Sequence, residues 1–182
     1  MTERFAHWLS DSFHISYMTE AVSKKLMSRA GNLLRRRSYS RRELARKLLK
    51  LADPIEVEAV LDRLEEVDLL NDSKYAYNLA IYRLRDCGWG PLRVRHALLE
   101  RQVAAELVES ALNGILQEHA EGPMLEGYLD RYCAKGGMPS DRKGIKRLLS
   151  HLQRRGFTHE VIHRTLRLKV DGKAWSSFES GD

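Results

Sequence analysis

The residues that come nearest to a reacting group are His159-Glu160-Val161-Ile162-His163, an H-E-x-x-H pattern. On a helix this spacing puts two imidazoles one turn apart for a zinc ion, with the glutamate polarising a water. The context does not supply the remainder. No H-x-x-G-x-x-H extension follows, and Glu179, the carboxylate to propose as a third ligand, sits in a Ser- and Gly-rich tail. Val161, Ile162 and Leu166 take the apolar face, which leaves both histidines on its flank. The pattern is therefore read as a solvated helix flank. Gly88-Trp89-Gly90 lacks the strand and the Lys-Ser/Thr pair of a phosphate loop. Cys87 and Cys133 have no evident base beside them and read as inert, buried thiols. No catalytic residue, metal ligand or cofactor is assigned.

The stronger chemistry is cationic. The chain has 182 residues with 31 Lys and Arg against 25 Asp and Glu, a net charge of +6. That modest figure hides blocks. From Lys24 to Lys50 eleven basic residues face one acid, Glu43, for a net +10. From Ala52 to Asp72 eight acids face Arg63, for −7; from Arg142 to Lys169 nine basic residues face Glu160, for +8. Arg35, Arg36, Arg37, Arg41, Arg42 and Lys47 form the first candidate binding cluster, and Lys146, Arg147, Arg154 and Arg155 the second. Guanidinium groups suit bidentate contact with carboxylate or phosphate. Arg41 and Arg42 sit at a helix start, where the dipole disfavours cations, so a partner is inferred for them. Trp89 is read as core between helices, and Tyr75 and Tyr82 likewise.

Helices position these residues. Apolar side chains recur at helical spacing, as in Leu44, Leu48 and Leu51, or Val57, Val60 and Leu64. Nothing alternates long enough for a strand. Starts are marked by the capping box Ser40-Arg41-Arg42-Glu43, by Asp53-Pro54, Gly90-Pro91, Asn71-Asp72, Ser140-Asp141 and Thr158, and Gly156 closes a helix. These signals predict helices near 20–36, 41–51, 54–67, 72–86, 91–101, 104–118, 123–135, 141–155 and 158–170. Leucine pairs at Leu48-Leu49, Leu98-Leu99 and Leu148-Leu149 recur every 50 residues, each after a cap at Ser40, Gly90 or Ser140. Each pair is followed by a second apolar helix (Val60 and Leu64; Val108 and Leu112; Ile162 and Leu166). Each is preceded by a further one (Leu26, Ala30, Leu33; Tyr75, Leu79, Tyr82; Leu125, Leu129, Tyr132). The expectation is all-α: three tandem three-helix repeats forming an elongated, curved array, since one such unit alone buries too little. The boundaries are an N-terminal extension at 1–19, repeats at 20–70, 71–120 and 121–170, and a loose tail at 171–182.

Hydrophobic residues at 43% allow a core, so a disordered or collagen-like chain is excluded. Two cysteines are too few for a disulfide scaffold and fit a reducing cytoplasm. No apolar run reaches the roughly 18–20 residues of a membrane span, and Met1 to Ser16 lacks the apolar region of a signal peptide.

Three motifs carry a resemblance: Arg37-Ser38-Tyr39-Ser40-Arg41-Arg42-Glu43-Leu44 with Lys47-Leu48; Val60-Leu61-Asp62-Arg63-Leu64 leading to Leu69-Leu70-Asn71-Asp72-Ser73-Lys74-Tyr75-Ala76; and Gly88-Trp89-Gly90-Pro91-Leu92-Arg93-Val94 with Leu98-Leu99. Taken in order they resemble the RecX family, regulators of the bacterial recombinase RecA. The likeness runs from Ala30 to Leu112 and weakly on to Leu166. It implies tandem three-helix repeats and a cytoplasmic, monomeric non-enzyme acting in DNA recombination, repair and the SOS response. Such a protein lies in the groove of the RecA–DNA filament and inhibits its ATPase, strand-exchange and co-protease activities. The partners implied are the RecA filament and single- or double-stranded DNA met through the basic patches, with no membrane. The alternative is a direct DNA-binding helical module. Family members often carry glycine where this chain has Ala52, Asp68 and Gln102, so those turns are expected to differ; Gly156 keeps it.

Overall fold

The computed structural model describes residues 23–134 and 136–180. The extension expected at 1–19 lies outside them. Every regular element among the described residues is an α-helix. α1 spans 23–34. It is followed by α2 (Arg41–Leu48), α3 (Pro54–Glu66), α4 (Asp72–Arg85), α5 (Pro91–Glu100), α6 (Ala105–Glu118), α7 (Glu121–Cys133), α8 (Arg142–Arg155), α9 (His159–Lys169) and α10 (Gly172–Glu179). The chain divides into two compact units, one ending at Tyr75 and the other starting at Ala76, within α4.

Local chemistry explains the starts. The Ser40 hydroxyl accepts from the Glu43 amide while Glu43 reaches back to the Ser40 N–H, so both halves of the capping box form. Asp53 accepts from Ile55 and Glu56 ahead of Pro54, whose missing N–H falls where no acceptor is needed. Asn71 accepts the Lys74 amide and Asp141 the Gly144 amide. Thr158 opens α9 differently. Its own hydroxyl does not accept; Glu121, from α7, takes the Thr158 N–H at 2.6 Å and its hydroxyl at 2.9 Å.

The 50-residue rhythm is a rhythm of burial. Leu48, Leu98 and Leu148 are all buried, while Leu49 and Leu99 are exposed. The anchors Val60, Leu64, Val108, Leu112, Ile162 and Leu166 are buried too. In the first unit they join Leu26, Ala30, Tyr39, Leu44 and Leu61 in one core. In the second, Leu125, Leu129, Ile145, Leu152 and Phe157 form another. The face expected on α4 is displaced by one position: Ala76, Ala80 and Leu84 turn inward, and Tyr82 is 53% exposed. Tyr132, fifty residues on, is exposed as well, at 51%. The core reading of both is thus corrected: on α4 the inward positions go to the small Ala76 and Ala80, and on α7 Leu125, Tyr128 and Leu129 are buried in place of Tyr132.

The tail is a correction. Residues 171–182 were expected to be loose, yet α10 forms, started by Asp171 accepting the Lys173 amide. Trp175 is buried against the α8 and α9 core, with Phe178 beside it. One large aromatic supplies enough apolar area to hold a short helix down.

The turns follow a common design. Asp68, Gln102 and Gly156 have φ of 56°, 60° and 87°. The amide after each returns to a carbonyl five residues earlier (Leu69 to Leu64, Val103 to Leu98, Phe157 to Leu152), which is a Schellman closure. The left-handed turn thus survives at Asp68 and Gln102 without glycine; Ala52 does not adopt it. Gly156 does more. Its carbonyl accepts the Leu92 N–H at 3.0 Å, and the Arg155 carbonyl accepts from Gly90 at 2.8 Å. The end of α8 therefore caps the start of α5. A Cβ on Gly90 would overlap the backbone of Gly156 and Phe157, and one on Gly156 the backbone of Arg93.

Candidate functional site

The cations of the first unit divide into two kinds. Arg41 is engaged within the chain: its guanidinium meets Glu58, Asp62 and Glu65 of α3, each at 2.6 Å, and its amide donates to Asp72 at 2.7 Å. Burial opposes its charge, but hydrogen bonds to Asp62 and Glu58 and the charge of Glu65 more than reverse that and raise its pKa. The partner inferred from its place at a helix start is thus the acidic helix of its own unit. Arg37 lies 3.7 Å over the Tyr39 ring and donates to Glu43 and to the Ser38 carbonyl, so it too serves the fold. Arg36, Arg42 and Lys47 are exposed. Arg35 is held by Asn32 at 2.9 Å, and with Arg29 and Arg36 it rims a cavity of about 600 Å³.

In the second unit, Lys146, Arg147 and Arg154 are exposed along α8. They line one cleft of about 900 Å³ together with Lys143, Tyr132 and His151. Arg155 turns inward: its Nε donates to the Tyr128 hydroxyl at 3.1 Å and its Nη1 to the Cys87 carbonyl at 3.3 Å. The Tyr128 hydroxyl also meets His151 Nε2 at 2.7 Å. Burial, then the charges of Arg155 and Arg154, lower the His151 pKa. Arg93, His151, Arg154 and Arg155 line an adjoining cavity of about 480 Å³.

Sequence reasoning missed the aromatic members. Tyr132 stacks on His151 with ring centroids 4.6 Å apart and planes 24° apart; Tyr128 lies 6.0 Å from the same imidazole. Trp89 is sandwiched between Arg83 at 4.5 Å and Arg93 at 4.0 Å, rather than sunk in a core. The signal was present in the repeat itself, which places Tyr82 and Tyr132 fifty apart on the same helical face.

His159 and His163 stack at 4.0 Å, but His163 meets Trp175 edge-on at 5.7 Å, and Glu160 pairs loosely with Arg164 at 3.8 Å. Among the described residues no three His, Cys, Asp or Glu side chains converge as metal ligands. Cys87 and Cys133 are half-buried free thiols, and burial raises the Cys133 pKa. No helix of the described residues is long and apolar enough to cross a membrane.

Fold and site together define a class: three-helix units in tandem that present basic surfaces. Residues 71–112 match the family described as RecX, second three-helix domain. Regulatory protein RecX of Ectopseudomonas mendocina is 34% identical over 139 residues, covering 76% of this chain and 90% of that protein. The one from Pseudomonas syringae pv. tomato is 38% identical over 138 residues, covering 75% and 86%. A crystal structure of RecX from Lactobacillus salivarius superposes with a TM-score of 0.66 at 20% identity, covering 81% of this chain and 96% of that one. The chain belongs to the RecX family of regulatory proteins.

Proposed function

We propose that this protein binds the RecA–DNA filament and inhibits its ATPase, strand-exchange and co-protease activities. The observation that carries the reading is the division of labour among the arginines. Arg37, Arg41 and Arg155 are engaged within the fold and Lys47 lies 5.6 Å from the centre of the Tyr39 ring, whereas Arg36 and Arg42 in the first unit and Lys146, Arg147 and Arg154 in the second point outward. Outward cations gain most from a partner that is itself anionic and fixed in geometry. A nucleoprotein filament offers both acidic protein surface and phosphate. Holding neighbouring protomers in one arrangement would arrest the cycle of hydrolysis and strand exchange.

The alternative, a module that binds naked DNA directly, draws on the four cations around the α8 cleft. Co-sedimentation separates the two. The filament reading expects retention by RecA assembled on single-stranded DNA, and far weaker binding to naked duplex at physiological salt. Equal retention by naked duplex supports the alternative. Affinity for phosphate-bearing partners should fall by about one log unit per log unit of salt for each phosphate neutralised.

A further inference from the structure

We propose that the ladder of Tyr82, Arg83, Trp89 and Arg93, with Leu92 at its side, is a docking surface for an acidic protein segment whose carboxylates flank an aliphatic side chain. This deepens the filament reading by naming the chemistry of the protein surface that the second unit meets.

The ladder is built where α4 gives way to α5. Trp89 stands between Gly88, at φ 62°, and Gly90, so the chain reverses tightly around it. Arg83, in the last turn of α4, and Arg93, in the first turn of α5, reach the same indole ring at 4.5 Å and 4.0 Å, and Arg83 lies 5.7 Å from the Tyr82 ring. The backbone holds the ring in place. The Trp89 N–H donates to the Arg83 carbonyl at 3.0 Å, and the next amide, Gly90, donates to the Arg155 carbonyl at 2.8 Å. A partner therefore meets side chains that are already ordered, and the entropy cost of docking is reduced.

The two guanidiniums are electrostatically unfinished. Among the described residues neither has a carboxylate partner; besides the rings, Arg83 meets the Cys87 sulfur at 3.8 Å. Arg95, two positions beyond Arg93, shows the contrast, because Glu109 takes it at 2.7 Å. No acid lies in the first turn of α5, where the dipole disfavours the charge of Arg93. Two like charges sharing one ring also repel each other. Stacking engages the π-face of a guanidinium and leaves its N–H edge free for bidentate contact with a carboxylate. Around these edges lie exposed apolar groups: Leu92 is 48% and Tyr82 53% exposed. Trp, Tyr and Arg are the residues that carry most of the energy in protein interfaces.

The same features select protein over nucleic acid. Two guanidiniums already cover the Trp89 ring, so no base stacks there, and a phosphate backbone gains nothing from Leu92. A peptide with carboxylates beside an aliphatic side chain uses both.

The test is fluorescence anisotropy of the full chain, without RecA, using labelled twelve-residue peptides of repeated Glu-Glu-Leu, Gln-Gln-Leu and Glu-Glu-Gly, and labelled (dT)12. The wild type should bind the Glu-Glu-Leu peptide at least tenfold more tightly than the Gln-Gln-Leu peptide, and about threefold more tightly than the Glu-Glu-Gly peptide. Arg83→Ala and Arg93→Ala should each weaken Glu-Glu-Leu binding about tenfold. Arg83→Lys with Arg93→Lys should restore little of it, because an ammonium lacks the planar fork. Arg95→Ala should leave it unchanged. The wild-type ratios need no variant to fold. A Gln-Gln-Leu peptide bound as tightly, full binding in the double alanine variant, or a double variant that loses (dT)12 as severely as the peptide would overturn the site. Because no RecA is present, failure here leaves filament inhibition standing, and failure of inhibition leaves this site standing.

Discussion

At the residue scale the decisive distinction is between an arginine that is used inside and one that is not. Arg41 faces three carboxylates of α3, each 43% or more exposed, so solvent discounts each pair. Three such contacts still sum, and removing the cation leaves like charges clustered on one helix. Arg41→Ala is expected to cost on the order of 1–2 kcal/mol in urea denaturation, against less than about 0.5 kcal/mol for Arg36→Ala or Arg42→Ala. Composition shows that the first unit is basic and its third helix acidic. It does not show that Arg41 spans 17, 21 and 24 residues to meet Glu58, Asp62 and Glu65. That pairing depends on how α2 lies on α3. Two histidines set a second residue-scale prediction. Burial chiefly, with Arg155 and Arg154 at His151 and His159 at His163, lowers both pKa values below the ordinary 6.5. The unfolded chain then binds more protons below 6.5, so stability is full above that pH and declines as pH falls through the depressed values. Melting temperature should drop between pH ~7 and ~5.5, and His151→Gln should flatten part of the drop.

At the scale of elements, caps are the most legible feature because their chemistry is local. Ser40 with Glu43, Asp53 with Pro54, Asn71 and Asp141 all act where the sequence places them. What a local reading cannot find is a cap supplied from elsewhere in the chain. Glu121 at the start of α9 and the α8 carbonyls at the start of α5 are of this kind. The glycines that permit it are sensitive. Gly156→Ala combines a φ of 87° with overlap on the Arg93 backbone. It should cost more than about 2 kcal/mol in chemical denaturation. Gly114→Ala, mid-helix in α6 with open space at its Cβ, should instead stabilise by up to about 1 kcal/mol. Gln102 tests the turn chemistry from the other side. It holds φ 60° as a non-glycine, and its buried Oε1 has no hydrogen-bond partner among the described residues. Gln102→Gly should raise the urea midpoint, by up to about 1 kcal/mol in stability. Helix α10 escaped the sequence reading because its Ser and Gly content resembles a tail. Its hold is a tertiary contact through Trp175.

For the molecule as a whole, the 50-residue repeat was legible because it fixes which leucine of each pair is buried, and burial alone repeats so regularly. The outward tyrosines were not: on α4 the buried face is slipped by one residue from the one expected, and on α7 the expected Leu125 and Leu129 are buried while Tyr132 is exposed. The charge blocks take on a clearer meaning once placed: the acidic stretch of α3 is spent largely on Arg41, while the basic stretches keep outward members in both units. The most direct measurement is RecA ATPase on single-stranded DNA, titrated with this protein and with an Arg36→Glu, Arg42→Glu variant. The account predicts inhibition near stoichiometric amounts by the wild type, and a clear loss of potency in the variant with its melting temperature unchanged. Undiminished ATP hydrolysis at a molar excess of wild-type protein would contradict it.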